Sequence, residues 1–393
     1  MLKKAIVVSC FFRPDSISRG YLAYKFLSES FDVKVLYSRF SHKKKQSVEH
    51  AGHDFVAIDA GRYARNISLA RVLSHAVFAR NVQKYLKKET PDLLYVLIPP
   101  NIGGYLAMKA IRGKCTKVVV DVVDIWPEAL PVPQGLKILG RFTYAPIWKY
   151  FRTYALKRSD YILSESQFFV DKLKASRFGR PVKVVHLAKP VKRELERKPT
   201  VERTSDTLVI GYLGSLNNIY DFDSLVKIAT TSERKVKLHV IGDGEKRDWL
   251  LRQLNDNHVE FEYHGEEYDE AVKWEILSSC DFGYNGFKDS TEVALSYKSI
   301  DYLSYGLPLI NSAKGDTWNL VQEHSIGMNF SSQRIEELVD KLGKLGKQDL
   351  ETMKRNVREV FMHYFDWTAY VKKMGELIGE LFSDGEELND GMS

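Results

Sequence analysis

Cysteine is scarce. Only Cys10, Cys115 and Cys280 occur in 393 residues, and no two stand close together. The odd number and the wide spacing exclude a disulfide framework and a cysteine-based metal site, and leave reduced thiols beside strands of a cytosolic protein. Long apolar runs are lacking too. The N-terminal run Ala5-Ile6-Val7-Val8 is too short for a signal-peptide core or a bilayer crossing, and no other stretch approaches the required length. The expectation is a chain made and kept in the cytoplasm, attached at most peripherally to the inner face of the cell membrane. Two phosphate-binding fingerprints are missing as well. Gly242-Asp243-Gly244 has Arg247 where a dinucleotide motif needs its third glycine, and there is no Walker A sequence. A nicotinamide dinucleotide and a P-loop ATPase are thereby disfavoured. The charge run His42-Lys43-Lys44-Lys45 has no aromatic residues between its charges, so it reads as a solvated loop and no nucleic-acid partner is expected.

The length calls for two domains. Basic residues exceed acidic ones by seven, 58 against 51, an excess too mild to choose a partner by itself. Apolar runs predict strands at 4–9, 33–37, 55–58, 93–98, 118–123, 161–164 and 182–186, with helices between them, among them 69–87 and 103–112. From Pro190 to Asp206 nine of seventeen residues are charged, a linker composition. Alternation then resumes, with strands at 207–212, 236–241, 259–263, 281–284 and 307–310. The expected fold class is α/β, with two doubly wound Rossmann-like domains facing across a cleft. The expected divisions are 1–190, 191–365 and 366–393. In the last, Asp366 caps an amphipathic helix of Trp367, Tyr370, Val371, Met374, Leu377, Ile378 and Leu381, followed by an acidic tail.

The most informative stretch is Ser296 to Ile310. Ser296 and Ser299 both suit a helix start, Gly306 its end, and Pro308 prevents its resumption. Leu307, Leu309 and Ile310 then suit a buried strand. Lys298 and Asp301 are three apart and share a helix face. Lys298 beside the free N–H groups of a helix start can hold a diphosphate, and Asp301 one turn deeper can accept ribose hydroxyls. The alternative is an exposed helix with a local Lys–Asp pair.

Other candidates follow strands. Gly214-Ser215 and Gly242-Asp243-Gly244 allow close backbone approach by a ligand, or serve as structural turns. Asp124 and Glu128 fall in the loop after the strand ending near Val123, where carboxylates bind sugar hydroxyls or move a proton, or else cap the loop. Asp221-Phe222-Asp223 has the spacing of an acidic metal pair, but Asp223 ahead of Ser224 reads more simply as a helix cap. No acidic residue occurs from Ala129 to Arg158, where basic residues alternate with Phe142, Tyr144, Trp148, Tyr150, Phe151 and Tyr154. Pro146 can open a helix there, with Ile147, Phe151, Tyr154 and Ala155 on one face. Residues 137–158 thus suit either an anionic membrane surface or a core helix with solvated charges.

Together these pieces resemble the GT-B glycosyltransferases of family GT4, over nearly the whole chain. The resemblance rests on Asp124-Ile125-Trp126-Pro127-Glu128, Gly211–Ser215, Val240–Gly244, Ser296–Ile310 and Phe365-Asp366-Trp367. Bacterial members that build capsule, exopolysaccharide or O-antigen repeats look most similar. The resemblance implies a nucleotide-sugar donor in the second domain, an acceptor site in the first, and a last helix crossing back to the first domain. It also implies transfer with retention, no metal and no further cofactor. On that pattern Gly214, Ser215, Gly242, Asp243, Gly244, His264, Gly265, Ser296, Lys298 and Asp301 bind the donor, a UDP-sugar in preference to a GDP-sugar. Arg13, Arg19, Gly20 and Glu128 bind the acceptor, and Asp124, Glu292 and Lys298 serve catalysis. Four departures stand out. Asp301 replaces the second of the family's paired glutamates, with Glu292 one residue from the position of the first. Val123 stands where a loop histidine is frequent, with Asp124 beside it. Asn217, Asn218 and Tyr220 stand where a basic pair is usual, and Arg19-Gly20 replaces a Gly-Gly.

The implied reaction moves a sugar to a saccharide acceptor, expected to be lipid-linked. Two other classes share the architecture: a nucleotide-sugar 2-epimerase, and a non-catalytic partner subunit.

Overall fold

The computed structural model describes residues 2–130, 134–189 and 207–383. The expected linker over 190–206 and the acidic tail after Ser383 lie outside them. The chain divides into two units. One runs to Leu187 and takes up the chain again from Tyr370, and the other is Ala188–Ala369.

In chain order, the first unit contains β1 (Lys3–Ser9), α1 (Arg19–Leu27), β2 (Phe31–Ser38), β3 (Phe55–Ile58), α2 (Leu69–Lys88), β4 (Leu93–Ile98), α3 (Asn101–Ala110) and β5 (Lys117–Val122). It continues with α4 (Gln134–Phe142), α5 (Tyr144–Leu156), β6 (Tyr161–Ser164), α6 (Gln167–Leu173) and β7 (Val182–Val184). Among the described residues these strands form one parallel sheet of order β3-β2-β1-β4-β5-β6-β7. All six residues of β4, Leu-Leu-Tyr-Val-Leu-Ile, are buried, as both faces of a parallel strand must be.

The second unit contains β8 (Thr207–Leu213), α7 (Phe222–Thr231), β9 (Lys235–Ile241), α8 (Arg247–Asp256), β10 (Glu260–Gly265), α9 (Glu270–Ser278) and β11 (Phe282–Asn285). Then come α10 (Tyr297–Ser304), β12 (Leu309–Asn311), α11 (Asp316–His324), β13 (Gly327–Asn329), α12 (Ile335–Lys344) and α13 (Lys347–Tyr364). Its sheet is also parallel, of order β10-β9-β8-β11-β12-β13. Ile210, Tyr212, Leu238, Val240, Phe282 and Tyr284 carry its core. The last helix, α14 (Trp367–Ser383), has Asp366 ahead of it accepting from Thr368 N at 2.9 Å, and buries Tyr370, Met374, Leu377 and Leu381. Tyr370 lies edge-on to Phe26 of α1.

Three details differ from the sequence reading. Helix α5 starts at Tyr144, and Pro146 falls in its first turn, where a missing N–H leaves no intrahelical bond unmade. Helix α7 is capped by Asp221, whose carboxylate accepts from Ser224 N at 3.1 Å and Ser224 Oγ at 2.6 Å, while Asp223 lies in the first turn. The third is β13, which was not anticipated. No helix among the described residues is long and apolar enough to cross a membrane.

Candidate functional site

The turns after β8, β9 and β10 are laced together through their backbones. Gly214 N donates to Ile241 O (2.9 Å), Leu216 N to Asp243 O (2.8 Å) and Gly242 N to Gly265 O (2.6 Å). This lacing requires glycine. A Cβ on Gly242 (φ +133°) would fall 1.9 Å from Gly214 O, and one on Gly244 (φ +155°) 2.6 Å from Leu216 O. The carboxylate of Asp243 turns back onto Gly244 N at 2.7 Å and pairs with Arg247 at 3.3 Å. Ser215 accepts the Tyr212 hydroxyl at its carbonyl, 2.6 Å, and Asn217 Nδ2 at its hydroxyl, 3.2 Å.

Helix α10 points its first turn at these loops. Ser296 caps it, accepting from Ser299 N at 3.3 Å and donating to Asn285 Oδ1 at 2.9 Å. Tyr302 anchors the helix. Its hydroxyl donates to Tyr284 O at 3.0 Å and accepts from Leu213 N at 2.8 Å. Lys298 then lies buried, 8% exposed, with no hydrogen-bond partner for Nζ among the described residues. The ammonium position is 3.5 Å from the Tyr220 ring centroid and 3.9 Å from that of Tyr212. Two aromatic faces attract a cation, but they do not replace water or a counter-charge. Burial accordingly pushes the Lys298 pKa well below the ordinary lysine value. A Cβ on Gly214 would sit 3.2 Å from Lys298 Cε, so the lysine lies against the glycine turn. The arrangement sets a buried amine with no hydrogen-bond partner among the described residues against a glycine turn, which is chemistry suited to an anion.

Asp301 does not pair with Lys298. It forms an ion pair with Lys189. The local Lys–Asp pair expected of an exposed helix is therefore not formed. His264 turns its Nε2 to His239 Nδ1 at 3.0 Å. Glu292 is exposed on the loop leading to α10. The carbonyl of Ala294, further along that loop, accepts from Asp316 N at 2.8 Å.

The residues expected at the acceptor lie in the first unit, and each has partners within it. Arg19 is buried against Asp121, with Nε at 2.9 Å and Nη2 at 2.6 Å from the carboxylate, which also accepts the Tyr95 hydroxyl at 2.6 Å. Both charges are almost wholly inaccessible, 3% and 0% exposed at the side chain, so Arg19 ties α1 to β5 and is not open to a ligand. Gly20 packs beneath it, where a Cβ would meet Ser9 Oγ at 2.8 Å. Glu128 is held by Arg152 at 2.8 and 2.9 Å and by Lys149 at 3.4 Å. Arg13 pairs with Asp15 at 3.3 Å on the surface. Asp124 accepts Ile125 N at 2.7 Å and Trp126 Nε1 at 2.8 Å, and burial raises its pKa.

Sequence reasoning missed three things. Lys189 and the tyrosines beside Lys298 are the first two. The third is a cluster in the first unit where the Arg71 guanidinium lies 4.9 Å from the Trp126 ring and 6.0 Å from Phe11 and Tyr63. Burial, then the Arg71 charge, hold His75 down to about 3 and His42 to about 4. The only sequence signal was Arg71 and His75 at a one-turn spacing on α2.

A family profile described as "Glucosyltransferase 3-like, C-terminal domain" matches residues 227–374. No curated protein sequence matches the chain. Solved structures match over almost its full length. A sucrose-phosphate synthase from Thermosynechococcus elongatus is 13% identical, with TM-score 0.71, covering 98% of this chain and 100% of that one. The lipopolysaccharide outer core galactosyltransferase WaaB is 16% identical, with TM-score 0.65 over 96% of this chain and 99% of that one. Anabaena HepE, in a complex with UDP-glucose, is 13% identical, with TM-score 0.63 over 96% of this chain and 100% of that one. The fold is the GT-B glycosyltransferase fold. Identities this low speak to the fold alone, and in a GT-B chain the glycine loops and Lys298 lie beyond the carboxyl ends of parallel strands, where such sheets take their ligands.

Proposed function

We propose that this chain is a glycosyltransferase that binds a nucleotide-diphosphate sugar in its second unit and moves the sugar to a saccharide acceptor. The observation that carries the reading is Lys298, a buried amine without a hydrogen-bond partner beside two glycine turns. The donor diphosphate supplies the missing counter-charge, and the lysine with the start of α10 stabilises the leaving group as charge develops on it. Gly214, Ser215, Gly242–Gly244 and Gly265 line the nucleoside end through backbone. The His264 ring is engaged by His239 and contributes its position more than its polarity. Asp301 takes the ribose, sharing its charge with Lys189. A uridine nucleotide is favoured, since HepE carries UDP and UDP-glucose in a similar fold. Transfer proceeds with retention and with no metal at the diphosphate, and the proposed catalytic carboxylates are Asp124 of the first unit and Glu292 of the second.

The acceptor is proposed to be lipid-linked, in the assembly of a bacterial surface polysaccharide, with the protein held peripherally at an anionic membrane. Exposed Ile138, Phe142, Ile147 and Tyr150 on α4 and α5 support this, set in a stretch with no acidic residue. Exposed Leu69, Leu73 and Val77 form a second apolar stripe on α2, where 60–88 is likewise free of acidic residues.

The test is calorimetric binding of UDP, GDP and their sugars to wild type and Lys298→Met. Binding of one nucleotide that falls at least tenfold in the variant supports the reading. No binding of any nucleotide diphosphate by wild type overturns it and favours a non-catalytic subunit. Sedimentation with anionic against zwitterionic vesicles tests the membrane half, with Phe142→Glu expected to release the protein.

A further inference from the structure

We infer that His239, Glu262 and His264 form a binding site for a zinc-class transition-metal dication, on the exposed edge of the second unit's sheet. The three side chains come from two paired strands. His239 of β9 stands opposite Glu262 of β10 in register, and His264 follows two residues later on the same face. Their ligand atoms all lie within 4.8 Å of one another. His239 Nδ1 is 3.0 Å from His264 Nε2 and 3.7 Å from Glu262 Oε2. The two rings are near-parallel, 14° between planes.

The chemistry is that of a nitrogen-rich site. Two imidazoles and one carboxylate match the three-ligand sets that bind zinc and leave a fourth position for water. Metal–nitrogen bonds of about 2.0–2.1 Å in a tetrahedral ion place two ligand nitrogens roughly 3.3 Å apart, so the imidazoles need to open only slightly. Magnesium and calcium prefer oxygen-only shells and are disfavoured. The facing nitrogens can hold only one proton between them without repulsion, and the ion takes that proton's place. Glu262 is already oriented for this. Lys237 Nζ holds its other oxygen, Oε1, at 2.5 Å and leaves Oε2 turned toward His239.

The ion would clip edge strand β10 to β9 immediately before Gly242 and Gly265, whose backbones are themselves bonded at 2.6 Å. Its role is to fix those turns, and it takes no part in the diphosphate chemistry. The inference therefore stands apart from the donor reading and is tested without nucleotide.

The experiment is a Co²⁺ titration of the metal-free full chain, read by visible ligand-field absorption, with His264→Gln, His239→Gln and Glu262→Gln in parallel. One saturating equivalent with tetrahedral-type bands is expected, displaced by Zn²⁺ and indifferent to excess Mg²⁺. Each histidine variant should weaken binding at least about tenfold. Zn²⁺ should raise the melting temperature of wild type and not of the variants. Glu262 is half exposed, so Glu262→Gln serves as the variant that keeps the fold if a histidine variant does not. Absence of a Co²⁺ spectrum in wild type overturns the site. So does a thiolate-type spectrum, or a spectrum unchanged in His264→Gln and Glu262→Gln.

Discussion

Arg19 and Lys298 are both buried cations, one in each unit, and they are treated in opposite ways. Arg19 in the first unit meets a fully buried carboxylate through two nitrogens, and Tyr95 satisfies that carboxylate further. Lys298 in the second unit meets only ring faces. A buried pair that is complete needs no ligand, and its function is to hold α1 against β5. A buried amine without an acceptor pays desolvation that the fold does not return, and that pattern marks a place reserved for an anion.

The comparison breaks most visibly at Arg19. Arg19→Met leaves the Asp121 charge buried and alone, and should cost about 3–5 kcal/mol by urea unfolding. Combining it with Asp121→Leu should recover a large part of that loss. If Arg19→Met unfolds like wild type, the pair is not structural.

Gly242→Ala is next. Both its φ of +133° and the 1.9 Å approach to Gly214 O resist a side chain, so a loss of at least about 2 kcal/mol is expected, with nucleotide affinity falling as the turns separate. Full stability and full affinity in this variant would show that the loops are not laced as described.

Lys298→Met should behave unlike Arg19→Met. Removing an unsatisfied amine returns about 1–3 kcal/mol, and losing two ring contacts withdraws a comparable amount, about 2 kcal/mol. Stability should therefore stay within about 1–2 kcal/mol while nucleotide binding collapses. The pH dependence sharpens the point. The native pKa is lowered, so the unfolded chain binds more protons between that value and the ordinary lysine range. Stability without nucleotide should rise with pH through that window, and the slope should disappear in Lys298→Met. Nucleotide binding should take up a proton and weaken as pH rises through the same window. Proton uptake measured in buffers of different ionisation enthalpy checks the sign.

The smallest effect is expected at Asp301→Asn. The pair with Lys189 is partly exposed, 19% and 31% at the two side chains, so stability should change by no more than about 1 kcal/mol. A loss of nucleotide affinity without that of stability would assign Asp301 to the ribose. Unchanged affinity would confine it to the ion pair.

Most strands were legible because buried parallel strands are continuous apolar runs, as in β4 and β5. Strand β13 was not, since three residues ending in Asn329 carry no such run. The stop of α10 at Gly306 was legible from backbone chemistry, and of the two serines that suited its start the structure uses Ser296 as the cap. The burial of Arg19 on Asp121 was not legible, because its partner lies 102 residues away.

The sequence alone determined the two runs of alternating strand and helix, the glycines that permit positive φ after β8 and β9, and the placing of Lys298 in the first turn of a capped helix. These are local consequences of periodicity and backbone freedom. Tertiary structure alone decided which charges are paired. It set Tyr212 and Tyr220 around Lys298, gave Asp301 to Lys189, buried Arg19 on Asp121, and brought His239 to His264. Each of these depends on burial and on neighbours distant in sequence, and both are set by how strands and helices pack.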